Sequence, residues 1–217
     1  MTFYNSAVSH NSNSATAYNN RGNLRKERND LQGAIEDFNK AIAINPNFAL
    51  AYNNRGYLKS TIKDFNGAIE DYNKAITISP TYLAYLNRGE LKSDMNDKPG
   101  AIEDYNKAIA INPNYADAYN NRGYLKSILN NFQEAIKDLN KAIAISPTYG
   151  NGMVYTNRGY AKLSIGDKSG ALADFSKAIE INPNYLIAYY DRATTKYQMK
   201  NPAASSGVSR LSQKIAN

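Results

Sequence analysis

The sequence predicts an all-α protein, an α-solenoid of antiparallel helix pairs, on three observations. The 217-residue chain repeats itself: Asn20-Arg21-Gly22 returns as Asn54-Arg55-Gly56, Asn87-Arg88-Gly89, Asn121-Arg122-Gly123 and Asn157-Arg158-Gly159. One proline closes each copy, at Pro46, Pro80, Pro113, Pro147 and Pro183. Inside a copy, apolar residues recur at spacings of three and four, the period of an amphipathic helix. Self-similarity at about 34 residues marks stacked units, none of which can bury its apolar face alone.

Residues 1–14 are rich in Ser and Asn, carry the only histidine, His10, and read as a flexible lead-in. From Ala15 a first helix begins, with Ala17, Tyr18, Leu24 and Arg28 on one side. Asn29 to Gly33 breaks its period. A second helix follows, its apolar members Ala34, Ile35, Phe38, Ala41, Ile42 and Ile44, and Pro46 stops it because proline lacks an amide donor and clashes with the preceding turn. The same pair recurs, giving repeats at 15–48, 49–81, 82–115, 116–149 and 152–185 and a half-repeat at 186–199. A glycine inside the first helix costs about 1 kcal/mol relative to alanine, so something must require the missing side chain. Close approach of the second helix supplies the reason, with Ala34, Ala68, Ala101, Ala135 and Ala171 as a small-residue ridge and Phe38, Tyr72, Tyr105, Leu139 and Phe175 beside it.

Two irregularities follow. The fourth and fifth repeats are joined by a longer link containing Gly150-Asn151-Gly152, where the array is expected to bend or flex. The half-repeat has Ala193 in place of glycine, and Asn201-Pro202 breaks the chain after it. Residues 200–217 then read as a degenerate capping helix with Val208, Leu211 and Ile215 inward, or alternatively as a docking tail.

Composition excludes several functions. There is no cysteine, hence no disulfide, thiolate metal site or cysteine nucleophile. With no histidine in the repeats and carboxylates confined to framework columns, no catalytic constellation, metal site or cofactor site is expected, and the chain is read as not an enzyme. The net charge of +7 invites nucleic acid, but the cations recur once or twice at fixed places in every unit, as with Arg55, Lys59 and Lys74, and are partly answered by Glu70 and Asp71. No signal peptide or run of membrane-spanning length is visible, so a cytoplasmic setting without membrane contact is expected.

The unit resembles a tetratricopeptide repeat: in 49–81 that family's pattern reads Tyr52, Arg55-Gly56, Lys59, Ala68, Tyr72, Ala75 and Pro80. The resemblance implies a right-handed superhelix whose first helices line a concave groove holding a peptide or a partner protein's helix. Two columns depart from the family. Arginine (Arg21, Arg55, Arg88, Arg122, Arg158) stands where leucine is usual, and Arg25, Lys59, Lys92, Lys126 and Lys162 stand where tyrosine is usual. The arginines share a seam with Ala17 and Leu24, and a buried guanidinium needs a partner. Asp37, Asp71, Asp104, Asp138 and Asp174 on the second helix are the candidates, the alternative being that these aspartates are solvated.

The opposite face of the first helices carries the candidate partner-binding residues: Asn19, Asn20, Asn23, Asn53, Asn54, Tyr57, Asn87, Asn120, Asn121, Tyr124, Asn157 and Tyr160, with Asp191 ending the Asn20 column. Asparagine amides both donate to and accept from a peptide backbone, and tyrosine adds a flat apolar surface with a polar tip. A second reading has each amide bonding the neighbouring repeat's backbone and fixing the stacking angle. The leading expectation is a scaffold that binds a protein or extended peptide, as a monomer or weak homo-oligomer. Two alternatives are an RNA-binding helical-repeat protein and a self-associating module. The acidic C-terminal tail of a chaperone is disfavoured, because of the family's clamp only Asn23 and Asn54 match while Thr16, Asn19, Leu83 and Asn87 replace its cations.

Overall fold

The computed structural model describes residues 13–201, so the lead-in up to residue 12 and the proposed cap at Val208, Leu211 and Ile215 lie outside the described residues. Among the described residues, eleven α-helices fall in two compact units that divide at Pro113. The first holds α1 (Ala15–Glu27), α2 (Leu31–Ile44), α3 (Ala49–Thr61), α4 (Phe65–Ile78), α5 (Tyr82–Asp94) and α6 (Lys98–Ile111). The second holds α7 (Ala116–Ile128), α8 (Phe132–Ile145), a short 3-10 turn (Tyr149–Gly152), α9 (Met153–Ser164), α10 (Lys168–Ile181) and α11 (Leu186–Lys200).

Each repeat is closed by local chemistry. The first helix ends in a residue with left-handed backbone, Asn29 at φ 62° and Lys63 at φ 65° in the first two repeats, which turns the chain back on itself. The next residue caps the second helix: Asp30, Asp64, Asp97 and Asp167 accept from the amides of Gly33, Gly67, Gly100 and Gly170, satisfying a donor that has no partner inside the helix. The pair is antiparallel, because Arg21 meets Asp37 while Arg25, one turn on, meets the carbonyl of Gly33, one turn back.

Packing runs between neighbours. Ala34 and Phe38 of α2 cluster with Leu58 of α3, Ala68 and Tyr72 of α4 with Leu91 of α5, and Leu139 and Ala142 of α8 with Val154 of α9. Each core therefore joins one repeat's second helix to the next repeat's first helix, so no repeat completes its core by itself. The missing glycine side chain is explained as expected: a Cβ on Gly22 would lie 2.7 Å from the ring of Phe38.

The link between the fourth and fifth repeats turns the chain sharply. Gly150, Asn151 and Gly152 all take positive φ (63°, 50° and 94°), and the turn is packed against its neighbours. Gly152 is buried, with its Cα so close to α10 that an added Cβ would lie 2.8 Å from the Ala178 carbonyl oxygen, and Tyr149 packs on the Leu139–Val154 cluster. The extra residues form a tight reversal, which only backbones tolerant of φ > 0 can make.

Candidate functional site: the first-helix face and its charged backing

Behind the first helices lies a charged seam. All five arginines of the predicted column reach the aspartate of their own repeat through two nitrogens, Arg55 Nε and Nη2 at 2.8 and 2.5 Å from the two oxygens of Asp71, and Arg88 at 2.9 and 2.6 Å from Asp104. The same fork joins Arg21 to Asp37, Arg122 to Asp138 and Arg158 to Asp174. The aspartates are buried, Asp104 at 0% exposure, so the expected buried pair is present and the solvated alternative is not. Fork geometry is the strong form of this bond. For Arg21, Arg55 and Arg88 the bond to aspartate holds the guanidinium above its already high range, against the opposing effect of burial.

The second unusual column has the same cause. Arg25, Lys59, Lys92, Lys126 and Lys162 place a second cation 2.8–3.0 Å from the same aspartate. Each carboxylate is thus shared by two cations, and each guanidinium also stacks on the tyrosine three residues earlier, as Arg55 does on Tyr52 at 5.5 Å. The third guanidinium nitrogen leaves the repeat: Arg55, Arg88 and Arg158 donate from Nη1 to Asn39, Asn73 and Asn140 of the preceding second helix at 2.6–2.7 Å. Sequence reasoning missed these acceptors. The recurring Asn-Lys-Ala at 39–41, 73–75 and 140–142 was the available signal.

On the front face the asparagines form rungs. Asn54 Nδ2 donates to Asn19 Oδ1 at 2.9 Å and Asn87 Nδ2 to Asn53 Oδ1 at 3.1 Å in the first unit, and Asn157 Nδ2 to Asn120 Oδ1 at 3.0 Å in the second. Each rung crosses from one repeat to the next by side chain alone. Asn19 and Asn120 are buried, at 1% and 2% exposure, and steady their neighbours Asn20 and Asn121 by donating to them at 3.4 and 3.1 Å. Asn20, Asn23, Asn53, Asn54, Asn87, Asn121 and Asn157 are half-buried.

Tyr57 and Tyr124 stand out at 47% and 43% exposure, Tyr57 beneath the Lys26 ammonium at 4.8 Å. Tyr160 turns inward: its hydroxyl donates to Asp191 and its ring lies edge-on to Phe175. Leu50 and Leu83 were not among the predicted contact residues, yet both are exposed, at 50% and 39%. Leu50, Asn53, Asn54 and Tyr57 share one side of α3 at spacings of three and four, and α1 touches α3 as α3 touches α5. The first unit therefore presents a layer of first helices with apolar, amide and phenol groups outward.

Models of the tetratricopeptide repeat match residues 49–82, 116–149 and 153–185, and a related repeat model matches 22–60 and 94–127. The chain belongs to the tetratricopeptide repeat family. No curated protein sequence matches it. Among solved structures it is similar to MamA (28% identity, TM-score 0.67), covering 78% of this chain and 92% of that one. It shares its fold with YrrB, described as a tetratricopeptide protein with an unusual peptide-binding site (20% identity, TM-score 0.70, 88% and 97% covered). It also shares it with a thermophilic tetratricopeptide protein from Thermus thermophilus (19% identity, TM-score 0.62, 85% and 100% covered). Tetratricopeptide proteins are generally non-catalytic scaffolds for protein interaction. Among the described residues no helix is long and apolar enough to cross a membrane, and no three His, Asp or Glu side chains gather as metal ligands.

Proposed function

We propose that the protein is a non-enzymatic scaffold that binds an extended peptide of a partner protein on the exposed face of its first helices. The observation that carries this reading is the first unit's surface. Leu50, Tyr57 and Leu83 leave apolar area in water beside Asn53, Asn54 and Asn87, whose amides are oriented by the rungs yet keep further hydrogen-bonding capacity. Each rung uses one amide hydrogen of Asn54 or Asn87, so a second hydrogen and an oxygen remain to meet a backbone. Asn20 and Asn23 extend that surface in the first unit, and Asn121, Tyr124 and Asn157 form the corresponding set in the second, with Tyr160 turned inward behind them. Asn19 and Asn120 act from behind by fixing Asn20, Asn54, Asn121 and Asn157.

The test is selection of peptides from a random library against the full chain, followed by Tyr57→Ala and Leu83→Ala. Both side chains are exposed, so melting is expected to stay within about 0.5 kcal/mol of wild type while affinity falls at least tenfold. Affinity should change little between about 50 and 300 mM salt. Selected peptides that ignore both substitutions would overturn the site. A steep salt slope together with tighter binding of single-stranded RNA would favour the nucleic-acid alternative.

A further inference from the structure

The last junction has no asparagine rung. Where Asn54, Asn87 and Asn157 donate to the preceding repeat, α11 carries Asp191. Where Asn19, Asn53 and Asn120 accept, the fifth repeat carries Thr156. Asp191 is 5% exposed, and among the described residues no lysine or arginine pairs with it. Its neighbour Arg192 lies over Tyr189 at 5.5 Å, and its one side-chain donor is the hydroxyl of Tyr160. Thr156 is also buried, gives its proton to the Gly152 carbonyl and is hydrogen-bonded to the Tyr185 hydroxyl. Asp37, Asp71, Asp104, Asp138 and Asp174 each meet two cations, so among the described residues Asp191 is the buried carboxylate left without one. The neutral acid carries no uncompensated charge and has nearly the shape of the amide that stands in this column elsewhere.

We infer that the last junction is proton-linked: in its acid form Asp191 is buried without an uncompensated charge, and α11 is held more tightly on the fifth repeat at mildly acidic pH than at neutral pH. Burial acts in the same direction, pushing the Asp191 carboxyl above its ordinary range, while the weaker hydrogen bond from Tyr160 pulls it back. The groups that face this carboxyl are phenols, Tyr160 from α9 and Tyr185 ahead of α11. The nearby charges of α10 are engaged elsewhere: Lys177 with Glu180, and Asp174 with Arg158 and Lys162. The docked helix binds the proton more readily than the free one. Its stability is therefore greatest below the unfolded carboxyl's pKa of about 4, falls as pH rises toward the docked value, and is flat above it.

Hydrogen exchange on the full chain from about pH 4 to 7.5 tests this, reading the protection of α11 amides relative to those of α10. The ratio should rise on acidification by several-fold, with a slope of at most about tenfold per pH unit for one proton. Asp191→Asn should flatten the profile and hold the neutral-pH ratio at or above the acidic wild-type value. Tyr160→Phe removes the bond to the carboxylate and should move the titration of the Asp191 carboxyl carbon, followed by NMR, to higher pH. A wild-type ratio that does not change with pH, a slope that survives Asp191→Asn, or a Tyr160→Phe titration displaced downward would each overturn the inference.

Discussion

Asp71→Ala is expected to destabilise the protein by about 3–5 kcal/mol, the largest single effect anticipated anywhere in the chain. The carboxylate sits 2.5 Å from Arg55 and 3.0 Å from Lys59, its own side chain only 5% exposed and the two cations 17% and 21% exposed. Removing it leaves two positive charges close together in a poorly solvated seam. It also removes one anchor of the guanidinium whose other end holds Asn39 of the preceding repeat, so the loss reaches the junction. The double change Arg55→Met with Asp71→Leu should cost much less than Asp71→Ala alone. The apolar pair fills the seam, and Lys59 can extend its stem and carry its ammonium to water. Urea denaturation of the three proteins checks this, and a double variant as unstable as the single one would show that the pair holds the seam by its own attraction.

Gly159→Ala is expected to destabilise by about 1–3 kcal/mol, and its sign is the informative part. Helix propensity alone predicts a gain of about 1 kcal/mol for replacing a mid-helix glycine by alanine. Here the added Cβ would lie 2.6 Å from a ring carbon of Phe175, which is 0% exposed and held between helices, so α9 and α10 must separate. Combining it with Phe175→Leu should return part of the loss, because the natural pair Gly123 and Leu139 leaves slightly more room, at 2.9 Å. Thermal melting of the single and double variants decides between propensity and packing.

The helix pairs and the arginine–aspartate pairing were legible in the sequence because each is written five times, and a column repeated in register points to a shared environment. Gly22 with Phe38 and Arg55 with Asp71 could be read from size and charge alone. What the sequence did not disclose depends on direction in space. That Lys59 joins Arg55 on one carboxylate, that Arg55 also reaches back to Asn39, and that Asn54 meets Asn19 by side chain all require the angle between repeats. The Gly150–Gly152 link depends on direction too. Its glycines mark a place to bend or flex, and three positive φ angles with contact to Ala178 give that place the form of a packed reversal. The exposed face shows the same divide: Tyr57 was identifiable by residue type, but Leu50 and Leu83 look like core residues until the structure leaves them in water.

Site-specific photocrosslinking tests the binding face most directly. A photoreactive phenylalanine analogue placed singly at Leu50, Tyr57 or Leu83 on the first helices, and at Glu70, Lys74 or Thr77 on the exposed side of α4, would be irradiated with the full chain bound to a selected peptide. The account predicts covalent capture from the first three positions and none from the last three. Capture confined to Glu70, Lys74 and Thr77 would contradict it.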